Sequence, residues 1–167
     1  TVIVRMGEEP VDALASHFSR VPAVLCATER AVMNTKILEQ AMSRALELAM
    51  LGPAKGVNPQ VGAVILNPEG EIVSEGFHKG SGTPHAEVEA IKALETKIGL
   101  PFPAGYTAVV TLEPCNHTGK TGPCSQALIE AGISSVAFAT QDPGHSSCGG
   151  AETLRQARIE VIEGVPE

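Results

Sequence analysis

Residues 106 to 124 read Tyr-Thr-Ala-Val-Val-Thr-Leu-Glu-Pro-Cys-Asn-His-Thr-Gly-Lys-Thr-Gly-Pro-Cys. The run from Tyr106 to Leu112 is almost wholly apolar or branched, which predicts a strand covered on both faces at the centre of a sheet. It stops at Glu113-Pro114-Cys115, crosses a glycine-rich loop, and reaches a second thiol at Cys124 behind Pro123. Pro123 to Ala131 is expected to be a helix.

The pattern extends outward in both directions. From Thr35, apolar residues recur at helical spacing (Leu38, Met42, Ala45, Leu46, Ala49), and Gly52-Pro53 ends the helix. Val61 to Leu66 and Glu71 to Phe77 flank the turn Asn67-Pro68-Glu69-Gly70 and predict a hairpin. A helix from about His85 to Thr96 should bury Val88, Ile91 and Leu94. Beyond the central stretch come a strand at Val136 to Ala139, a helix at Ala151 to Ala157, and a last strand at Ile159 to Ile162. A helix, a hairpin and then alternating helices and strands imply an α/β fold: a mixed five-stranded sheet with helices on both faces, a three-layer sandwich. Residues 1–33 hold two weak apolar patches and no clear period, so they are read as an N-terminal extension to a domain spanning residues 34–167.

Composition narrows the functions. Twelve Lys and Arg against 19 Asp and Glu give a net charge of −7, so no global positive field attracts phosphate backbones or anionic lipid. One Tyr, four Phe and no Trp leave few ring faces for stacking single-stranded bases. A small molecule is the expected partner, with neither nucleic acid nor membrane. No stretch approaches the ~18 apolar residues of a spanning helix. Val21 to Ala27 is short for a signal core and interrupted by Pro22. Cys26, Cys115, Cys124 and Cys148 are too few and too unevenly placed for a disulfide framework. A reducing cytoplasm is the expected setting.

The chemistry gathers in Pro84-His85-Ala86-Glu87, Pro114-Cys115 and Cys124. A catalytic zinc takes three protein ligands and keeps one position open, and one imidazole with two thiolates meets that count. His85 and Glu87, two apart, face one site only if His85 caps the helix, a placement that Pro84 favours. Cys124 at a helix start gains from the positive end of the dipole, which favours a thiolate. Unrelated buried cysteines beside a surface His, or a purely structural zinc site, are the bland alternatives. The joint occurrence of these residues with an unassigned Glu87 weighs against both.

The His-Ala-Glu, Pro-Cys and second Cys resemble the zinc nucleobase deaminases, in which the Glu shuttles protons and is not a ligand. The long loop between Cys115 and Cys124 is similar to that of the deaminase domain of the bifunctional riboflavin-biosynthesis proteins. Thr111 to Cys115 and His117 to Thr121 match that pattern. Asn58-Pro59, Val61 to Val64, Gly76, His78, Pro84 to Val88, Ala127 to Ile129, Ala131 to Ile133 and Asp142-Pro143 agree as well. The likeness covers about residues 36–163. It departs at Gly122, where the family has Pro, and over Gly144 to Ala151, where an expected Asn is missing. The reductase domain of bifunctional members has no counterpart in these 167 residues, consistent with a stand-alone deaminase or a fragment.

The resemblance implies a cytidine-deaminase-like fold and Zn2+ on His85, Cys115 and Cys124. It implies Glu87 as acid and base, and hydrolysis of a cyclic amidine in a diaminopyrimidinone ribosylamino 5′-phosphate. Lys120 is then the candidate phosphate anchor and Asn58 a contact to the base edge. His78 would meet ribose or phosphate, His117 would line the pocket, and Asp142 would bind substrate. A homodimer or homotetramer is expected by the same resemblance. Competing readings are a related deaminase for another base or nucleotide, and a zinc-stabilised interaction module without turnover.

Overall fold

A computed structural model of the chain describes residues 23–56, 58–118, 122–144 and 148–166. Helix α1 (Ala23–Ala49) leads into β1 (Gly62–Leu66) and β2 (Ile72–Phe77). Then α2 (Ala86–Ile98), β3 (Thr107–Leu112), α3 (Cys124–Ala131), β4 (Ser135–Thr140), α4 (Gly150–Gln156) and β5 (Glu160–Glu163) alternate. The strands form one sheet in the order β2-β1-β3-β4-β5. β1 pairs antiparallel with both β2 and β3, whereas β3, β4 and β5 run parallel. The sheet is therefore mixed and five-stranded, with β3 at its centre.

Strand pleating sorts residues between two cores. Ala63, Ile65, Ala108, Val110 and Val136 face α2, α3 and α4, meeting Ala90, Leu94, Leu128 and Leu154. Their neighbours Val64, Leu66, Val109 and Ala137 face the other way, against Ala41, Met42, Ala45 and Leu48 of α1. Each fully buried Val, Leu or Ile contributes about 1.5–3 kcal/mol, so both layers are firmly seated. The hairpin turn closes as its sequence predicts, with Asn67 Oδ1 accepting the N–H groups of Glu69 and Glu71 at 3.1 and 2.9 Å.

Two expectations shift. α1 begins at Ala23 and not near Thr35, so the boundary drawn between residues 33 and 34 falls inside a continuous helix. The stretch carries Ala, Leu, Glu, Arg and Met, good helix formers whose apolar spacing is too irregular to show a period. The rest of the proposed extension lies outside the described residues. In α2 the buried residues include Ala90, Ile91 and Leu94, while Val88 is only half-buried. Ala90 takes the inward place because α2 rides low over Gly76 of β2. A Cβ at Gly76 would stand 2.3 Å from the Ala86 carbonyl oxygen and 2.6 Å from the Ala90 nitrogen. That close approach lowers the first turn of α2 onto the sheet.

Candidate active site

The first turn of α2 and the first turn of α3 meet at the carboxyl end of β3. His85 is the N-cap of α2, with φ −71° and ψ 163°, so its backbone is extended and its side chain turns away from the helix stack. Glu87 sits one residue inside the helix. This cap geometry brings two residues that a regular helix would point apart into one cavity. Cys115 follows β3 after Glu113-Pro114, and Cys124 opens α3.

The imidazole and both sulfurs converge. His85 Nδ1 lies 3.2 Å from Cys124 Sγ and 3.6 Å from Cys115 Sγ. All three donor atoms fall within 4.8 Å of one another. A tetrahedral zinc has sulfur about 2.3 Å away and nitrogen about 2.0–2.1 Å away, which gives S···N edges of roughly 3.5 Å. The two observed separations match that edge, and the soft sulfur and imidazole donors are those zinc prefers. His85, Cys115 and Cys124 form the only such group of three donors among the described residues.

Electrostatics divide the two thiols differently from the sequence expectation. The backbone N–H that opens α3, at Cys124, points at Cys115 Sγ, 3.4 Å away. The helix start thus serves the neighbouring sulfur and not its own. Hydrogen bonding from the Cys124 thiol holds Cys115 down to about 4, with help from His85 and despite burial. Cys124 is pushed up, first by sharing its proton with Cys115 and then by burial. Donating to the Cys115 sulfur raises His85. One proton shared between two sulfurs is the condition a cation relieves, since a metal requires both as thiolates. Burial pushes the Glu87 carboxyl up to about 7 against the smaller pull of its backbone contact and of His85.

A cavity of about 360 Å³ opens onto this group and is lined by His85, Glu87, Cys115, Asn58, His78, His117 and Asp142, among others. Every proposed substrate contact within the described residues therefore shares one space with His85, Glu87 and Cys115; Lys120 lies outside the described residues. His117 is exposed at the rim. His78 lines the cavity but is only 4% exposed, with both ring nitrogens engaged. Its Nδ1 lies 3.2 Å from the Pro84 carbonyl oxygen and its Nε2 lies 3.0 Å from Asn58 Nδ2. A proton on Nδ1 satisfies both, with Nδ1 donating to Pro84 and Nε2 accepting from Asn58. His78 thereby fixes the Asn58 amide, and a direct bond from its ring to substrate would first have to break one of these two.

Residues 35–140 match the cytidine and deoxycytidylate deaminase zinc-binding region. The chain belongs to this deaminase family. Among its relatives, riboflavin biosynthesis protein RibD of Corynebacterium ammoniagenes is 47% identical over 137 residues, 78% of this chain and 39% of that protein. The diaminohydroxyphosphoribosylamino-pyrimidine deaminase of Buchnera aphidicola is 42% identical over 126 residues, 74% of this chain and 82% of that protein. The crystal structure of a diaminohydroxyphosphoribosylaminopyrimidine deaminase/5-amino-6-(5-phosphoribosylamino)uracil reductase from Thermotoga maritima superimposes with a TM-score of 0.74 at 47% identity. That match covers 79% of this chain and 37% of the other. The chain thus spans well under half the length of the Corynebacterium RibD and of the Thermotoga deaminase/reductase, and most of the length of the Buchnera deaminase. The cytidine-deaminase-like architecture expected from the sequence is the one these family members share.

The motif reading left some functional surface unassigned. Ser81, Gly82 and Thr83 form one wall of the cavity, and Glu113 is a buried carboxylate beside the metal donors. Glu113 stands in the quoted motif, but only the fold shows which backbone groups it meets.

Proposed function

We propose that the chain carries a zinc-dependent hydrolytic deaminase domain that converts a diaminopyrimidinone ribosylamino 5′-phosphate to the pyrimidinedione and ammonia in riboflavin biosynthesis. One observation carries the reading: His85, Cys115 and Cys124 converge, and His85, Cys115 and the buried Glu87 line one cavity. His85 Nδ1 and the two sulfurs would hold the zinc. Bound zinc supplies the Lewis acidity that makes water a usable nucleophile near neutral pH. Glu87 takes a proton from the attacking water and gives it to the ring nitrogen; it then takes the second proton from the hydroxyl on the tetrahedral carbon and passes it to the departing amine. Asn58, its amide held by His78, meets the base edge in the cavity that Asp142 and His117 also line. Lys120 binds the 5′-phosphate as a point charge.

The identity to the Buchnera deaminase and the bifunctional relatives supports this substrate over another base. No described helix is long and apolar enough to cross a membrane, and Cys115, Cys124 and Cys148 are outside any disulfide, which suits a reducing cytoplasm. Exposed Met50, Leu51 and Leu100 offer apolar surface to a homodimer or homotetramer.

The test is mass-spectrometric product analysis of the zinc-loaded protein with the diaminopyrimidinone nucleotide. Exchange of one amino group for oxygen with stoichiometric ammonia is the expected result. A protein that leaves this nucleotide unchanged but deaminates cytidine, guanine or adenosine would overturn the substrate assignment.

A further inference from the structure

We infer that Glu113 is a positioning residue for substrate selection: its carboxylate fastens both flanks of the chain between β4 and α4 and so fixes where Asp142 faces the cavity. The inference rests on the deaminase reading for the contact between Asp142 and substrate, whereas the fastening itself is geometric. Glu113 is 7% exposed and directly continues the central strand, its N–H donating to the Thr140 carbonyl of β4 at 2.8 Å. From that point its side chain spans to both ends of one connection. Oε2 accepts the Asp142 N–H at 3.3 Å, and Oε1 accepts the Ala151 N–H at 3.0 Å.

A carboxylate is suited to this work because both its oxygens accept, and hydrogen bonds to an ionised acceptor are roughly twice as strong as neutral ones. An amide at the same place keeps one acceptor and turns an N–H toward a backbone donor. Close packing reinforces the link. A Cβ at Gly150 would stand 1.8 Å from the Pro114 carbonyl oxygen, so the start of α4 lies directly on the residue before Cys115. Asn116 Oδ1, accepting from Ser125 Oγ at 2.8 Å and Thr153 Oγ1 at 3.1 Å, joins the starts of α3 and α4 on the same side. The wall carrying Asp142 is therefore referenced to the strand end that carries the metal donor.

The experiment uses the zinc-loaded full chain and the diaminopyrimidinone nucleotide. Glu113→Gln should retain zinc, raise KM about tenfold and leave kcat within about threefold. It should also speed hydrogen exchange at the Asp142 or Ala151 amide by about tenfold or more. In an Asp142→Ala background the same substitution should add nothing to KM, because the two residues act as one unit. Glu113→Asp, which keeps both acceptors on a shorter arm, should restore part of the KM. An unchanged KM, an equal KM rise in both backgrounds, or loss of zinc together with kcat would overturn the inference. Should Glu113→Gln not fold, Glu113→Asp and wild-type exchange decide, and unprotected Asp142 and Ala151 amides in the wild type count against it. A wild-type protein inert toward the nucleotide sinks the deaminase reading and this inference together. An active wild type with an indifferent Glu113 sinks the inference alone.

Discussion

Glu87 is a carboxyl enclosed beside two sulfurs and an imidazole, and burial carries it from 4.5 to about 7. Only its ionised form can accept a proton, and a neighbouring divalent cation lowers the value from there. The acid limb of kcat should therefore lie between about pH 4.5 and 7. A profile flat across that interval would contradict the assignment. Glu87→Gln, which keeps shape and loses basicity, should bind zinc normally and lose about 10²–10⁴-fold in kcat; near-normal ammonia release would count against the role.

The same residue makes a stability prediction. With its folded pKa above the unfolded one, the metal-free protein binds an extra proton between pH 4.5 and about 7, so stability declines as pH rises through that window. Above it, the buried charge costs about 3 kcal/mol. Metal-free Glu87→Gln should accordingly be more stable than wild type at pH 8 and little different at pH 4, as urea denaturation would show. Among single residues, the convergence of His85, Cys115 and Cys124 near a buried Glu87 was legible in the sequence because these residue types are chemically distinctive. His78 as the partner that holds Asn58, and Glu113 as a double acceptor, were not. Both roles depend on which backbone and side-chain groups fold against them.

At the scale of elements, the site is made by two helix starts meeting at one strand end. Hydrophobic period and turn residues gave each element its type, and Pro84 and Pro123 marked both starts. Pro84 also put His85 at the cap, with α2 running from Ala86. The dipole of α3 acting on Cys115 was not legible, because the direction of the Cys124 N–H depends on how the strand end and the helix cross. The depth of α2 depends on Gly76, whose absent Cβ lets the Ala86 carbonyl approach. Gly76→Ala should cost about 1–3 kcal/mol or more through overpacking and weaken zinc binding by lifting His85. Thermal melts of the metal-free protein and zinc competition titrations would show both effects. Unchanged zinc affinity alongside a lowered Tm would mean that helix depth does not set the donor geometry.

For the whole molecule, the sheet order places β3 between its antiparallel and parallel halves, and the donors gather where its chain leaves the sheet. The mixed, helix-covered architecture followed from element order. The early start of α1 did not, since residues from Ala23 onward have helix-forming composition without a clean apolar stripe. The central claim is that one imidazole and two thiolates hold a zinc and leave a corner beside Glu87. Zinc-edge X-ray absorption of the metal-loaded wild type tests it most directly. The account predicts one zinc with two sulfurs at about 2.3 Å, one imidazole nitrogen at about 2.0–2.1 Å, and a fourth light-atom position from solvent. A fourth protein ligand closing that position, or a shell with fewer than two sulfurs, would contradict it.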